Sequence, residues 1–271
     1  MTDVWDTGTL DLDAYLDRIG LCGAMTPGAE TLTAVHRAHL TAIPFENLDI
    51  ALGRGIDVSL DAVQAKLVTG RRGGYCYEHG LLLAAALERL GFGVERLLAR
   101  VGEDRERPRG RTHMLLRVHA GDETWMADTG FGSGLIEPLP WGAAGPRRQD
   151  GWTFRLVPDG PRTWWLHERR GEEWQTHYRF DDTLVYPADV VLANHFTSTW
   201  PGSPFVRRTV VSRKTGDELR ELVDGTLTVT RPDGSTEERE VPAAELGATL
   251  RDEFGLDLTP DEVDVLAARA D

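Results

Sequence analysis

Apolar residues at Leu12, Tyr15, Leu16 and Ile19 fall at i, i+3, i+4 and i+7, one face of a helix that Gly20 ends. A second helix is predicted from Thr26-Pro27, with proline in its first turn, through Leu32, Val35 and His39 to a break near Pro44. Ser59 is the expected cap of a third, carrying Leu60, Val63 and Leu67. The run Leu81-Leu82-Leu83-Ala84-Ala85-Ala86-Leu87 is rich in Leu and Ala. It reads as a buried helix rather than a strand, with Gly91 as its stop just past Leu90. The first ninety residues are therefore mainly helical.

After Gly93 the texture changes. Strand patterns occupy Val94–Val101, Thr112–Val118 and Thr124–Ala127, with a turn at Ala120-Gly121-Asp122. Three glycines make Asp128–Gly134 a loop or turn. Trp152–Val157, Thr163–His167 and Trp174–Phe180 are spaced like a meander or small barrel, and Trp141–Asp150 reads as a poorly ordered loop. Asn194–Phe205 reads as irregular and broken by proline, followed by strands at Val206–Val211 and Leu227–Thr230. Arg231-Pro232-Asp233-Gly234 is a hairpin turn into Glu237–Val241. Two closing helices are expected at Pro242–Glu253 and Thr259–Ala270, the second capped by Thr259 with Pro260 in its first position. The pattern is α+β, with breaks near residues 90 and 200 and no internal repeat.

At 271 residues the chain has room for one large domain or two to three small ones. Hydrophobic residues at 41% and charged residues at 27% give an ordinary globular balance. A net charge of −14 disfavours nucleic acid and anionic membrane as partners of the whole surface. The first basic residue is Arg18, after Asp3, Asp6, Asp11 and Asp13 and no apolar core of a signal peptide. With no run long enough to span a bilayer, and only two cysteines, the expectation is a cytoplasmic protein with free thiols.

The chemistry concentrates in Arg72-Gly73-Gly74-Tyr75-Cys76-Tyr77-Glu78-His79-Gly80. Cys76 is expected in the first turn of the apolar helix, where backbone N–H groups and the helix dipole favour a thiolate. The alternative for a cysteine there is a small buried apolar residue; Cys22, which lies in no motif, is read as structural. A cysteine nucleophile needs a base and the base needs an orienting group. Eight histidines are available: His36, His39, His79, His113, His119, His167, His177 and His195. His39 falls on a packed helical face. His79 is three residues from Cys76, but such a neighbour rarely turns its ring to a first-turn thiol. His113 begins one strand and Asp128 ends the next, so antiparallel pairing would set them side by side; an edge-strand histidine is the alternative reading.

With these residues in hand, the chain resembles the arylamine N-acetyltransferases. Arg72-Gly73-Gly74-Tyr75-Cys76-Tyr77-Glu78 resembles the family's cysteine motif, Thr112-His113 its histidine strand, and Asp128-Thr129-Gly130-Phe131-Gly132 its aspartate motif. Pro44-Phe45-Glu46-Asn47-Leu48 is similar to its N-terminal signature and Ser198–Phe205 to a stretch late in its middle region. Thirty-seven residues separate Cys76 from His113, and fifteen separate His113 from Asp128, in agreement with the family. The similarity runs from about Leu12 onward and is weakest after residue 205. The chain departs at Gly80, where the family often has Asn, and at Thr129, where Val is usual.

The resemblance implies a helical domain over residues 1–90 carrying the cysteine and an antiparallel β-barrel over 91–200 carrying the histidine and aspartate. An α/β lid is implied over 201–271. It implies a papain-like triad of Cys76, His113 and Asp128, and two-step acetyl transfer from acetyl-CoA through acetyl-Cys76 to an arylamine, arylhydrazine or arylhydroxylamine. Acetyl-CoA is the cosubstrate; no permanent cofactor and no metal are expected. Gly130, Phe131, Gly132, Ser133 and Gly134 are the expected coenzyme contacts, through N–H groups turned to its pyrophosphate, although a tight turn explains the glycines equally well. Glu46 and Glu78 are expected to satisfy buried polar groups, Arg72 to pair with a carboxylate such as Glu46, and Trp200 and Phe205 to stand at the cleft mouth. The partners implied are small molecules, with the chain a monomer or homodimer. Rival readings are an amide synthase closing a macrolactam from a carrier-bound polyketide, a papain- or transglutaminase-like cysteine hydrolase, and a non-catalytic binding protein.

Overall fold

The structure is a computed structural model that describes residues 3–23, 25–143 and 145–270. Helix α1 (Leu12–Arg18) is capped by the Asp11 carboxylate, and α2 (Ala29–Ala42) follows. Gly28 caps α2, so the helix starts later than Thr26-Pro27 and Pro27 lies just outside it instead of in its first turn. Strand β1 (Phe45–Glu46) and α3 (Leu48–Ala51) share the Pro44–Leu48 segment. The Ser59 side chain caps α4 (Leu60–Gln64), which widens by a turn over Ala65–Thr69. Helix α5 (Cys76–Arg89) is buried along almost its whole length and stops at Leu90, with Gly91 at φ +94°.

The sheet that follows contains β2 (Gly93–Val101), β3 (His113–Ala120), β4 (Glu123–Ala127), β5 (Leu139–Pro140), β6 (Arg147–Gln149), β7 (Trp152–Pro158), β8 (Thr163–Arg170) and β9 (Glu173–Leu184). All pairs are antiparallel and the spatial order is β5-β4-β3-β2-β9-β8-β7-β6. The sheet curls until its two end strands approach. There the Gln149 side chain of β6 accepts from the N–H groups of Ile136 and Glu137 and donates to the Glu137 carbonyl at 2.7 Å. One buried amide thus replaces the missing strand ladder. The expected loop Trp141–Asp150 therefore contains a short strand; its Ala144 lies outside the described residues.

Two expectations in the last third are corrected. Asn194–Phe205 is not irregular: it holds most of α6 (Pro187–Thr199) and the start of α7 (Pro204–Arg207). Pro187 sits in the first turn of α6, and the Asp189 carboxylate accepts from the Tyr186 N–H at 2.8 Å. Val206–Val211 begins as α7 and becomes strand only at β10 (Val210–Lys214). Then come β11 (Leu219–Val223), β12 (Thr226–Thr230) and β13 (Thr236–Glu240), followed by α8 (Leu246–Phe254) and α9 (Pro260–Ala270). The hairpin turn closes as read, with Gly234 at φ +88° and its N–H on the Arg231 carbonyl. The Thr259 hydroxyl accepts from the Glu262 N–H at the start of α9.

A second sheet runs β1-β10-β11-β12-β13, so residues 45–46 are paired with residues 211–212 far along the chain. Three apolar cores result. One joins the early helices to one face of β2–β4 and to Val190 of α6. One fills the barrel around Trp152, Phe154 and Tyr178. The third lies between the second sheet, α8 and α9. Among the described residues no helix is long and apolar enough to cross a membrane.

Candidate active site

Cys76 is the first residue of α5. The chain reaches it through two glycines that must have no side chain. A Cβ on Gly73 would lie 2.3 Å from the Pro44 carbonyl oxygen, and one on Gly74 would lie 2.9 Å from the Glu78 side chain. This closeness lets the Glu46 N–H donate to the Gly74 carbonyl at 2.8 Å and the Gly74 N–H to that of Pro44 at 3.3 Å. The Glu78 carboxylate accepts from the Tyr75 N–H at 2.9 Å, satisfying a donor at the open end of the helix. Beneath lies a buried ionic network. Arg72 pairs with Glu46 at 2.9 Å, and Lys66 bridges Glu78 and Asp49, both at 2.8 Å. Burial and the neighbouring Glu46 push the Glu78 carboxyl up to about 7, against the pull of Lys66. These are the packing roles expected of Glu46, Glu78 and Arg72.

His113 and Asp128 come from adjacent strands. The register of β3 and β4 pairs Leu116 with Ala127, and continuing it sets Asp128 across from Leu115, one step diagonally from His113. His113 Nε2 bonds Asp128 Oδ2 at 2.7 Å, and both side chains are buried. The same Oδ2 accepts the Tyr178 hydroxyl at 2.5 Å, and Oδ1 accepts the Gly130 N–H at 3.0 Å. Burial alone would favour the neutral acid. The charge of His113 and these donors outweigh it, and the carboxyl is held below its ordinary range. The His113 ring is flanked by Tyr178 at 4.8 Å and by the edge-on Phe131 at 5.0 Å.

Tyr178 and His36 complete this half of the site, and neither stands out in the sequence. The Asp128 N–H donates to His36 Nε2 at 3.1 Å, which leaves His36 Nδ1 to donate to the Ile136 carbonyl at 3.0 Å. His36 is thereby fixed as one neutral tautomer, and burial presses its pKa down to about 4.

The two halves meet at close quarters. The Cys76 thiol donates to the Thr112 carbonyl at 3.7 Å, next to His113 in the chain. A Cβ on Gly130 would lie 2.9 Å from the Cys76 Cα, so only glycine lets the Asp128 loop pass. Cys76 is buried, and burial pushes its thiol well up. That cost of burial opposes the helix terminus, which favours the thiolate.

The remaining residues singled out earlier are placed as follows. His79 belongs to a different buried set, bonded to His39 and to the Pro44 carbonyl. Gly80 faces no cavity: a Cβ there would lie 3.0 Å from Cγ and Sδ of Met114. Gly132, at φ +81°, abuts Phe45 and Ser212, and the Ser133 carbonyl accepts from buried Lys214 at 2.7 Å. Among the described residues the N–H groups of Phe131, Gly132, Ser133 and Gly134 have no protein acceptor. Phe205 packs on Phe45 and Tyr75. Trp200 is half exposed and stacks on Phe196 at 4.9 Å.

A groove of about 350 Å³ lies between Leu98, Gly110–Thr112 and the α6 residues Asp189, Leu192, Ala193 and Phe196. It ends at Thr112, beside the thiol. A larger groove of about 760 Å³, lined by Trp5, Ile56, Leu81 and Asn194 among others, touches none of Cys76, His113 or Asp128.

The family model for N-acetyltransferase matches residues 29–263. The arylamine N-acetyltransferase of Mycolicibacterium smegmatis is 39% identical over 257 residues, covering 92% of this chain and 93% of that protein. The structure of the arylamine N-acetyltransferase from Mycobacterium abscessus superposes with a TM-score of 0.93 at 34% identity, covering 100% of this chain and 98% of the other. That of the Mycobacterium marinum arylamine N-acetyltransferase in complex with CoA superposes with a TM-score of 0.88 at 34% identity, covering 96% and 98%. The match to the family model, the identity to the relatives and the near-complete superposition agree: this chain belongs to the arylamine N-acetyltransferase family.

Proposed function

We propose that the protein is an arylamine N-acetyltransferase, moving an acetyl group from acetyl-CoA through acetyl-Cys76 to an aromatic amine, hydrazine or hydroxylamine. The observation that carries this reading is the His113–Asp128 bond at 2.7 Å beside the only buried free cysteine among the described residues. His113 takes the thiol proton, and the Cys76 sulfur attacks the thioester carbonyl carbon. A new C–S bond forms, the bond to the coenzyme sulfur breaks, and the departing thiolate takes the proton back from His113. The amine nitrogen then attacks acetyl-Cys76, its proton passing through His113 to the leaving cysteine sulfur. Asp128 holds the ring with Nε2 toward itself and stabilises the imidazolium, so Nδ1 is the nitrogen that works. The Cys76 N–H, at the open helix end, is the oxyanion donor.

Exchange of one thioester for another is nearly balanced in energy, so the site has only to activate and position. Gly130–Gly134 remain the proposed coenzyme contacts. Because Gly130 touches the Cys76 backbone, we place them at the thioester end rather than at the pyrophosphate, a full pantetheine arm away. Domains 1–90, 91–200 and 201–271 remain part of the proposal; each apolar core also draws on a neighbouring one, the first on Met114 and Leu116, the second on Leu40 and Leu219, the third on Leu48 and Ala51.

Intact-protein mass spectrometry after incubation with acetyl-CoA tests the reading. One added acetyl group, absent in Cys76→Ser and discharged by 5-aminosalicylate or isoniazid, is expected. An unmodified Cys76 with no acetylated amine overturns it in favour of an amide synthase, and amide cleavage without coenzyme A in favour of a hydrolase.

A further inference from the structure

Lys214, the last residue of β10, is buried, and its ammonium lies 3.9 Å from the centre of the Trp152 ring and 4.8 Å from that of Phe154. Nζ donates to Glu168 Oε1 of β8 at 2.5 Å and to the Ser133 carbonyl at 2.7 Å. Glu168 is fully buried as well, with Arg170 Nε at 2.9 Å and His177 Nε2 at 3.3 Å from its Oε2. Burial raises this carboxyl, but His177, Lys214 and Arg170 outweigh it and hold the group down at about 2. Burial presses the ammonium down only to about 8, so the pair is ionised at neutral pH. Taking two charges out of water costs about as much as their attraction returns, so a pair placed among Trp152, Phe154 and Leu166 adds little stability. What such a pair fixes is geometry.

The geometry concerns the loop after Asp128. Asp128 takes the Gly130 N–H, and among the described residues the Lys214 bond is the one hydrogen bond that residues 131–135 make. The loop is tightly wound: a Cβ on Gly134 would lie 3.0 Å from the Phe131 Cβ, so Phe131 moves with Ser133. The Phe131 ring stands edge-on between His177, at 4.7 Å, and His113, at 5.0 Å. A lysine of the second sheet thus reaches His113 through one carbonyl and one aromatic ring.

We propose that Lys214 is a positioning residue of the acyl-transfer site. Through the Ser133 carbonyl it anchors residues 130–134 and keeps Phe131 packed against His113, which shields acetyl-Cys76 from water. This rests on acetyl-Cys76 being the intermediate. The competing reaction is hydrolysis. Water adds to the acetyl carbon, the C–S bond breaks, and a proton passes through His113 to the sulfur, giving acetic acid and the free thiol. A loosened Phe131 opens His113 to water and shifts the choice between water and amine while Cys76, His113 and Asp128 are all retained.

The experiment loads the whole chain with acetyl-CoA, removes the excess, and follows acetyl-Cys76 by intact mass with and without 5-aminosalicylate. Wild type, Lys214→Met and Glu168→Gln are compared, with melting temperatures taken alongside. Lys214→Met removes the Ser133 bond. It is expected to shorten the lifetime of acetyl-Cys76 in buffer at least fivefold and to lower the partition to amine over water at least tenfold. Glu168→Gln breaks the ion pair but leaves an amine that still donates to Ser133. It is expected to lower the melting temperature while its partition stays within twofold of wild type. A partition within twofold in Lys214→Met overturns the proposal. So does an equal shift in both variants, which would make the pair a support of the barrel alone. Should Lys214→Met not fold, Lys214→Met/Glu168→Gln, which leaves neither charge of the pair, is read for the same shift or its absence. A wild type that forms no acetyl-Cys76 takes down the acetyltransferase reading and this proposal with it, whereas an unshifted Lys214→Met leaves that reading standing.

Discussion

Two buried histidine pairs lie near Cys76 and differ in what ends them. In the first, the Tyr15 hydroxyl meets His39 Nδ1 at 2.9 Å, His39 Nε2 meets His79 Nδ1 at 2.9 Å, and His79 Nε2 meets the Pro44 carbonyl at 3.2 Å. A carbonyl only accepts, so His79 Nε2 carries a proton and Nδ1 is a lone pair; His39 and then Tyr15 must donate in turn. Every nitrogen is occupied and no carboxylate is in the chain. Burial drives His79 down to about 4 and His39 further. In the second pair, His113 Nε2 meets a carboxylate held ionised by three donors. Proximity in sequence favours His79. What makes a base is a charged partner on one nitrogen and freedom on the other, and of His79 and His113 it is His113 that has both.

The largest expected effect separates the pairs by activity. His113→Gln should lose about a thousandfold or more in kcat/KM for the amine, the scale of removing a general base from a nucleophile–base pair. Its melting temperature should move by only a few degrees. His79→Gln should do the reverse, keeping activity within a few-fold while losing about 2 kcal/mol of stability for its disturbed buried bonds. Steady-state kinetics and thermal unfolding of both variants check this, and a catalytic defect in His79→Gln equal to that of His113→Gln would erase the distinction.

Much of this contrast was legible in the sequence, and the remainder was not for a physical reason. Cys76 at the start of α5 is local: apolar run, preceding glycines and stop residue lie within twenty positions. His113 and Asp128 needed one antiparallel register, which a single turn at Gly121 supplies. Tyr178 on β9 reaches Asp128 across β2 and β3, and His36 reaches it from a helix ninety-two residues earlier. No local pattern encodes such meetings. Helix α6 has no helical signature in the sequence because Val190, Val191 and the Thr197–Thr199 stretch carry strand-type side chains, while the helix is held by tertiary contacts. Asn194 and Thr197 take the hydroxyls of Tyr75 and Tyr77. Packing overrode propensity there.

Acid sharpens the comparison next. His79 and His36 have folded-state pKa values near 4 against about 6.5 in the unfolded chain, because burial penalises the charged ring. Protons therefore bind the unfolded state more readily. The stability these residues contribute is complete above about pH 6.5 and is lost as pH falls toward about 4, by about 3 kcal/mol each at roughly 1.4 kcal/mol per pH unit. Asp128 is depressed too, but a carboxylate's loss begins only near its unfolded value, at the bottom of that window. Denaturant melts from pH 7 to 4.5 should show this slope, and it should flatten in His79→Gln, whose amide does not titrate. An unchanged slope in that variant would mean that His79 is not held neutral by burial.

The smallest effect probes the seam between the two pairs, at Gly80. It lies one turn along α5 from Cys76 and against Met114, the residue after His113. Replacing a helical glycine by alanine gains up to about 1 kcal/mol. The new Cβ, however, would stand 3.0 Å from both Cγ and Sδ of a fully buried methionine. Thioether chains adapt by small rotations, so the neighbour gives by a few tenths of an ångström and the two terms nearly cancel. Gly80→Ala should change stability by less than about 1 kcal/mol and kcat/KM by less than threefold. Combining it with Met114→Ala, which removes the opposing atoms, should make the pair more stable than the sum of its parts, a coupling visible in a double-mutant cycle. A tenfold fall in activity for Gly80→Ala alone would show instead that Met114 cannot yield without carrying His113 with it. The asparagine usual in the family at this position would then demand a repositioned β3, and Gly80 would be a condition of this chain's triad geometry rather than a neutral departure.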